Sequence, residues 1–301
     1  MRQLHSFGVI RLRGSKPAAV LCFLLVLAVG VFTAKWAWKT HPIQAESVSA
    51  GAEPSIEIPI IMYHHFLEDP GRLGDYVVSP QQFADDLAYL QQLGYTTVTT
   101  EDLIQYVDNN VPLPDKPVMI TIDDGYESVY AYAYPILKQF ESKAVVAVIG
   151  RFSQEYSHSS DHSVLYSHLT WDQIGEMSQS GLIEFANHSY DLHDSASGAR
   201  RLSGESTGEY RLRLSRDVLQ TQELLKDASG TLAHCFAYPF GFYSKDSDSI
   251  LASLSFRVTL SCEERISRIC RGDPQCLYRL GRFNRPASAS RDAFFKKALG
   301  L

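Results

Sequence analysis

From Ile56 to the C-terminus, short apolar stretches alternate with amphipathic ones, and nothing else in the chain restricts its fold so tightly. The apolar stretches are Ile58 to Tyr63, Tyr95 to Thr99, Val118 to Ile122, Ala144 to Ile149, Leu182 to Ala186, His234 to Tyr238, Phe256 to Leu260 and Tyr278 to Phe283. Helix signals fill the intervals. Ser79-Pro80 opens a segment whose Phe83, Leu87 and Leu90 recur at helical spacing until Gly94 stops it. Thr100 caps a short helix through Val107, and a tyrosine-rich helix runs to about Phe140. Thr170 and Gln173 form a capping box for a helix that Gly181 ends. Glu209 to Asp227 and Arg291 to Ala298 read as the last two helices. Such alternation implies a parallel sheet with helical crossovers. The expected fold class is α/β, a distorted (β/α) barrel of about seven or eight parallel strands rather than an open sheet. Arg151 to His168, polar and rich in Ser and His, is expected to be irregular, and no internal repeat is present.

The first residues bear on compartment. Residues 1–16 hold Arg2, Arg11, Arg13 and Lys16 and no acid, so they are expected in the cytoplasm. Pro17 to Ala34 is an uncharged apolar run followed by Lys35, Trp36 and Trp38, and residues 17–38 read as one transmembrane helix that anchors the chain. A cleaved signal peptide, with Ala45 before the cut, is the alternative. Residues 39–55 are small and polar and read as an extracellular tether, leaving 56–301 as the working domain outside the cell membrane. A formal charge of -6 argues against a nucleic-acid partner. Five cysteines are too few for a disulfide-built scaffold. Cys22 lies in the apolar run and Cys235 stands alone; in an extracellular domain one bridge among Cys262, Cys270 and Cys276 is expected, Cys262–Cys276 being the choice, with free, part-buried thiols as the alternative.

Reactive groups in a parallel barrel gather at the C-terminal ends of the strands. Those ends carry His64 and His65, Asp123 and Asp124, His188, Tyr238-Pro239, and then Arg282, Asn284 and Arg285. Neighbouring strand residues face opposite ways, so Asp123 and Asp124 can share a site only where the strand ends, and Gly125 permits that exit. Two close carboxylates resist joint ionisation unless a cation neutralises one; one can then ligate metal while the other acts as a base. Read alone, Asp-Asp-Gly is an ordinary solvated turn. His188 and His193, five apart in a strand-exit loop, can converge on one ion, and neutral imidazole suits zinc. One Asp with two His leaves coordination positions for water, the pattern of a hydrolytic metal site.

Together these motifs resemble the polysaccharide deacetylases of carbohydrate esterase family 4, the NodB-homology group. Thr121-Ile122-Asp123-Asp124-Gly125 resembles that family's first motif, with Ile in place of Phe, and His188-Ser189 leading to His193 resembles the second. The gap of five, and the opening Met62-Tyr63-His64-His65, are similar to the poly-N-acetylglucosamine deacetylase branch. Phe236-Ala237-Tyr238-Pro239-Phe240-Gly241 keeps the Tyr-Pro core of the third motif without its Arg. The resemblance runs from about Ile58 to the C-terminus. It implies Asp124, His188 and His193 as ligands of a divalent metal, zinc, and Asp123 as general base. It also assigns Tyr238, Pro239 and Gly241 to the substrate and oxyanion turn, with a backbone N–H near Tyr238 as donor and Pro239, which has no N–H, shaping the loop. The implied reaction is hydrolysis of N-acetyl groups on an extracellular N-acetylglucosamine polysaccharide, releasing acetate.

Two departures matter. The family histidine near the last strand is missing from Leu277 to Arg282, so a different acid is required, His64 or His65 being the candidate, or metal-bound water must return the proton. The orienting Arg of the third motif is missing too, and Arg282 or Arg285 could replace it. His158, His162 and His168, the tyrosines Tyr126, Tyr130, Tyr132 and Tyr134, and Trp171 read as solvated or packing residues. Peptidoglycan is the alternative substrate. A catalytically inactive glycan-binding barrel is an alternative of another class. A glycosidase would need carboxylates across a glycosidic bond, and Asp123 and Asp124 are adjacent instead.

Overall fold

Eight parallel strands make the centre of the domain, in the order Val258–Leu260, Cys235–Ala237, Ile183–Asn187, Ala144–Val148, Pro117–Ile122, Ile60–Tyr63 and Phe283–Asn284, with Thr96–Val98 added beside Pro117–Ile122. The computed structural model describes residues 55–301; the expected cytoplasmic segment, anchor and nearly all of the tether lie outside them. The first half runs β1 (Ser55–Ile58), β2 (Ile60–Tyr63), β3 (His65–Phe66), β4 (Val77–Val78), α1 (Pro80–Gln92), β5 (Thr96–Val98), α2 (Thr100–Asn109), β6 (Pro117–Ile122) and α3 (Tyr134–Gln139). Next come β7 (Ala144–Val148), α4 (Gly150–Ser157), α5 (Trp171–Ser178), β8 (Ile183–Asn187) and α6 (Thr207–Ser229). The chain closes with β9 (Cys235–Ala237), α7 (Ser247–Ser253), β10 (Val258–Leu260), β11 (Ser267–Cys270), β12 (Phe283–Asn284) and α8 (Arg291–Leu299). Among the described residues no helix is long and apolar enough to cross a membrane.

The sheet curls toward a barrel. β5 pairs with Pro117–Met119 and β7 with Thr121–Ile122, so both share one edge of β6 while β2 takes the other. At the far ends, Leu280 bridges Leu260 of β10 while Phe283 and Asn284 pair with β2, so one short segment touches both edges of the sheet. Side chains then sort by the two-residue period of strands. Val118, Ile120 and Ile122 pack outward with Leu87, Leu137, Ile174 and Met177 of the helices. Met119 packs inward with Ile60, Val145, Ala147, Ala186, Ala237 and Leu260. Continuing that parity, Thr121 and Asp123 face the interior.

Several expectations change. Within the supposedly irregular Arg151 to His168 lies α4, whose buried face is Gly150 and Ser153; residues so small leave no apolar periodicity to read. Thr99, not Thr100, caps α2, in a reciprocal box with Asp102. A π-helical turn, Val129–Ala133, precedes α3. Tyr278 to Phe283 is mostly not strand: a 3-10 turn, Pro274–Leu277, leads up to it and the strand itself is Phe283–Asn284. β11, unanticipated, pairs antiparallel with β1 apart from the main sheet. The expected Cys262–Cys276 bridge is corrected: the four described cysteines are free. Cys276 instead sits against Cys270, whose N–H donates to its Sγ at 3.1 Å, and Cys262 lies beside Arg282.

Candidate active site

β6 ends at Ile122, and the next residues turn sharply. Asp124 (φ 71) and Gly125 (φ 68) are both left-handed, so the carboxylates of Asp123 and Asp124, opposed by strand parity, open on the same mouth. A Cβ on Gly125 would lie 2.8 Å from Val148 Cγ1, so packing as well as φ requires glycine there.

Asp124 Oδ1 lies 3.2 Å from His193 Nε2 and 3.5 Å from His188 Nε2. The three donor atoms fall within 4.8 Å of one another, the span of a single ion's coordination shell. His188 Nδ1 donates to the Ala237 carbonyl at 2.8 Å, which fixes the tautomer and turns the Nε2 lone pair toward Asp124. One carboxylate oxygen, two imidazole nitrogens and a partly open mouth therefore fit a divalent ion such as zinc. Burial opposes charge on Asp124, yet His188 and His193 hold its carboxyl well below the usual range. Burial likewise opposes charge on His188, which Asp124 and Asp123 outweigh, raising it.

Asp123 is 2% exposed and Arg282 is fully buried. The guanidinium grips the carboxylate with both arms, Nη1 to Oδ1 at 2.7 Å and Nη2 to Oδ2 at 2.8 Å. Arg282 is held in turn by the carbonyl of Ser261 at 2.9 Å and the hydroxyl of Thr121 at 3.3 Å. Burial pushes against ionisation of Asp123, but Arg282 and His188 win and hold it below its ordinary value. Of the two candidate arginines, Arg282 reaches Asp123. Arg285 pairs with the buried Asp86 at 2.8 Å, which also accepts from Tyr63 at 3.0 Å, and so belongs to the wall.

The paired histidines part company. His64 feels the charges of both Asp123 and Asp124, and burial keeps its pKa low. Its Nδ1 is buried without a partner. His65 turns away: Nδ1 meets the Ser128 hydroxyl at 2.7 Å, Nε2 meets the Leu165 carbonyl at 3.3 Å, and the ring stacks on Tyr126. His168 stacks on the other side of Tyr126, His158 meets Gln154, and His162 lies 4.0 Å from Glu127. Tyr130 donates to Glu176 and the Trp171 indole to Gln154.

The third-motif turn differs from expectation. Tyr238 N–H is already donated to the Leu260 carbonyl at 3.0 Å and Gly241 N–H to the Tyr238 carbonyl at 2.8 Å, while Pro239 has none to give. Neither Tyr238 nor Gly241 can therefore supply the oxyanion donor. Phe240, left-handed at φ 55, has an N–H with no acceptor among the described residues, and its ring packs 4.5 Å from that of His193. Sequence reasoning missed Phe240. The signal was present, since the residue after a proline is the next that can donate.

Residues 110–259 match the family model for polysaccharide deacetylase. The poly-beta-1,6-N-acetyl-D-glucosamine N-deacetylase of Escherichia coli (strain K12) is 27% identical over 202 residues, covering 60% of this chain and 30% of that protein. The protein of the same name from Staphylococcus aureus (strain MSSA476) is 26% identical over 203 residues, 67% of this chain and 66% of that one. The chain thus spans under a third of the first relative and just under two thirds of the second. Among solved structures, IcaB from Ammonifex degensii superposes with a TM-score of 0.64 and 29% identity over 81% of this chain and 96% of that one.

Proposed function

This chain carries a polysaccharide deacetylase domain, and from that premise we propose that it removes N-acetyl groups from an extracellular N-acetylglucosamine polysaccharide, releasing acetate and leaving free amines. The observation that carries the reading is the meeting of Asp124, His188 and His193 beside an Asp123 locked to Arg282. A divalent ion, when bound there, polarises the amide carbonyl and lowers the pKa of water. The chain's own residues supply the rest. Asp123, kept ionised by the guanidinium, uses its remaining lone pairs to take the proton of the attacking water. Phe240 N–H, rigid in its turn, faces the charge that develops on the acyl oxygen. The proton that Asp123 takes passes on to the leaving amine by way of His64, which lies beside both acids and has a ring nitrogen free to relay it, whereas both nitrogens of His65 are already engaged.

The names of the relatives favour a β-1,6-linked polymer over peptidoglycan. Anchorage by residues 17–38, with the domain outside the membrane, rests on the apolar run and its basic flank. The test is acetate release from β-1,6-linked N-acetylglucosamine oligomers, with chitin and peptidoglycan fragments in parallel. Wild type should lose activity to a chelator and regain it with zinc, and Asp124→Asn should stay inactive at any zinc level. Shortened oligomers without acetate, or activity indifferent to chelation, would overturn the proposal.

A further inference from the structure

The loop that returns His193 to Asp124 is held by α6 and α4 as well as by its own turn. At its start, Asn187 Oδ1 accepts from Ser189 N–H at 2.9 Å while Asn187 Nδ2 donates to the Val218 carbonyl of α6 at 2.9 Å. Ser189 is left-handed (φ 70), and the two following N–H groups converge. Both point at one carboxylate on α6: Tyr190 N–H donates to Asp217 Oδ1 at 2.8 Å and Asp191 N–H to Asp217 Oδ2 at 2.8 Å. Successive N–H groups after such a turn form a concavity for an anion, and Asp217 fills it. On the other flank, α4 donates Gly150 N–H to the Ser189 carbonyl at 2.9 Å and Arg151 N–H to the Tyr190 carbonyl at 3.0 Å. Gly150 has no room for a side chain, since a Cβ would collide with the Thr221 hydroxyl.

Resting on the metal reading above, we infer that Asp217 is a positioning residue, which sets the 188–193 loop so that His193 meets Asp124 across a gap of five. Neither ligand histidine touches it. Its carboxylate is not consumed by a basic partner either, because the neighbouring Arg213 pairs with Glu205 at 2.8 Å. Without an acceptor for both N–H groups the concavity opens to solvent, and the loop is free to carry His193 away from Asp124. Asparagine has the same shape but one acceptor oxygen. At position 217 it would accept one N–H and set its own amide donor against the other.

The experiment compares the full chain with Asp217→Asn and, should that variant fold poorly, Asp217→Ala. Zinc affinity is read by competition with a chromophoric chelator, amide hydrogen exchange follows the peptide spanning 188–193, and thermal unfolding reports general stability. The expected result is zinc binding weakened by roughly 10–100-fold, with lost protection at Tyr190 and Asp191 and a global transition little changed. Affinity and protection equal to wild type in both variants would overturn the inference. Failure of wild type itself to bind zinc would instead sink the metal reading, and the exchange data would still judge the brace.

Discussion

Arg282→Met is the most informative single perturbation, because Arg282 is fully buried and, among the described residues, supplies every hydrogen bond that Asp123 receives from a side chain. Removing one partner of a buried pair leaves the other charge uncompensated, at a cost of about 3–5 kcal/mol. The double variant Asp123→Asn/Arg282→Met should recover most of that loss, giving a coupling energy of about 3 kcal/mol in a double-mutant cycle. The pH dependence has a definite sign. In wild type the Asp123 carboxyl sits below its ordinary value, so its contribution is present above the unfolded pKa and is lost as pH falls through the folded one. In Arg282→Met, burial is no longer opposed by the guanidinium and the carboxyl rises. The penalty is then largest near neutrality and shrinks in acid, by up to about 1.4 kcal/mol per pH unit below the raised pKa. Urea unfolding of the four proteins of the cycle between pH 7 and pH 5 measures both effects. Additive single-variant losses, or a penalty that does not change with pH, would refute the argument.

The remaining predictions separate neighbours and roles. His64→Ala should lower kcat by roughly 10²–10⁴-fold with little change in stability, whereas His65→Ala should cost about 1–3 kcal/mol in unfolding experiments by orphaning buried partners and spare kcat. His168 is buried, and burial lowers its pKa to about 4. Its neutral form contributes stability present above the unfolded pKa and lost as pH falls toward the folded one, about 3 kcal/mol in all; His168→Phe should flatten that slope in pH-dependent denaturation. Gly241→Ala would place a Cβ 2.8 Å from Cys262 Cβ and 2.9 Å from its backbone N. A loss of about 1–3 kcal/mol together with reduced kcat, through displacement of Phe240, is expected, and an unchanged melting temperature would count against it.

Much was legible locally. The order of strands and helices follows hydrophobic period and capping chemistry, and Ser79, Thr170 and the Gly94 stop act where the residues suggest. The juxtaposition of Asp123 with Asp124 was readable for the same reason: strand parity and a glycine exit are properties of a few consecutive residues. α4 was not, because a helix that buries Gly150 and Ser153 leaves no apolar stripe. The closeness of Cys270 and Cys276 was not either, since the β11 turn brings them together and no spacing rule does; free thiols were already the alternative reading.

Sequence alone thus determined which chemical groups stand at which strand ends, because short-range backbone geometry decides where a strand stops and which way its side chains face. Tertiary structure alone decided the partners. It gave Asp123 the guanidinium 159 residues away rather than that of Arg285, set His64 toward the acids and His65 into a ring stack, and left Phe240 with the unspent N–H. The physical reason is that a buried charge or donor must be satisfied by whatever the curled sheet brings within about 3 Å, and that depends on how the sheet curls rather than on any local run of residues.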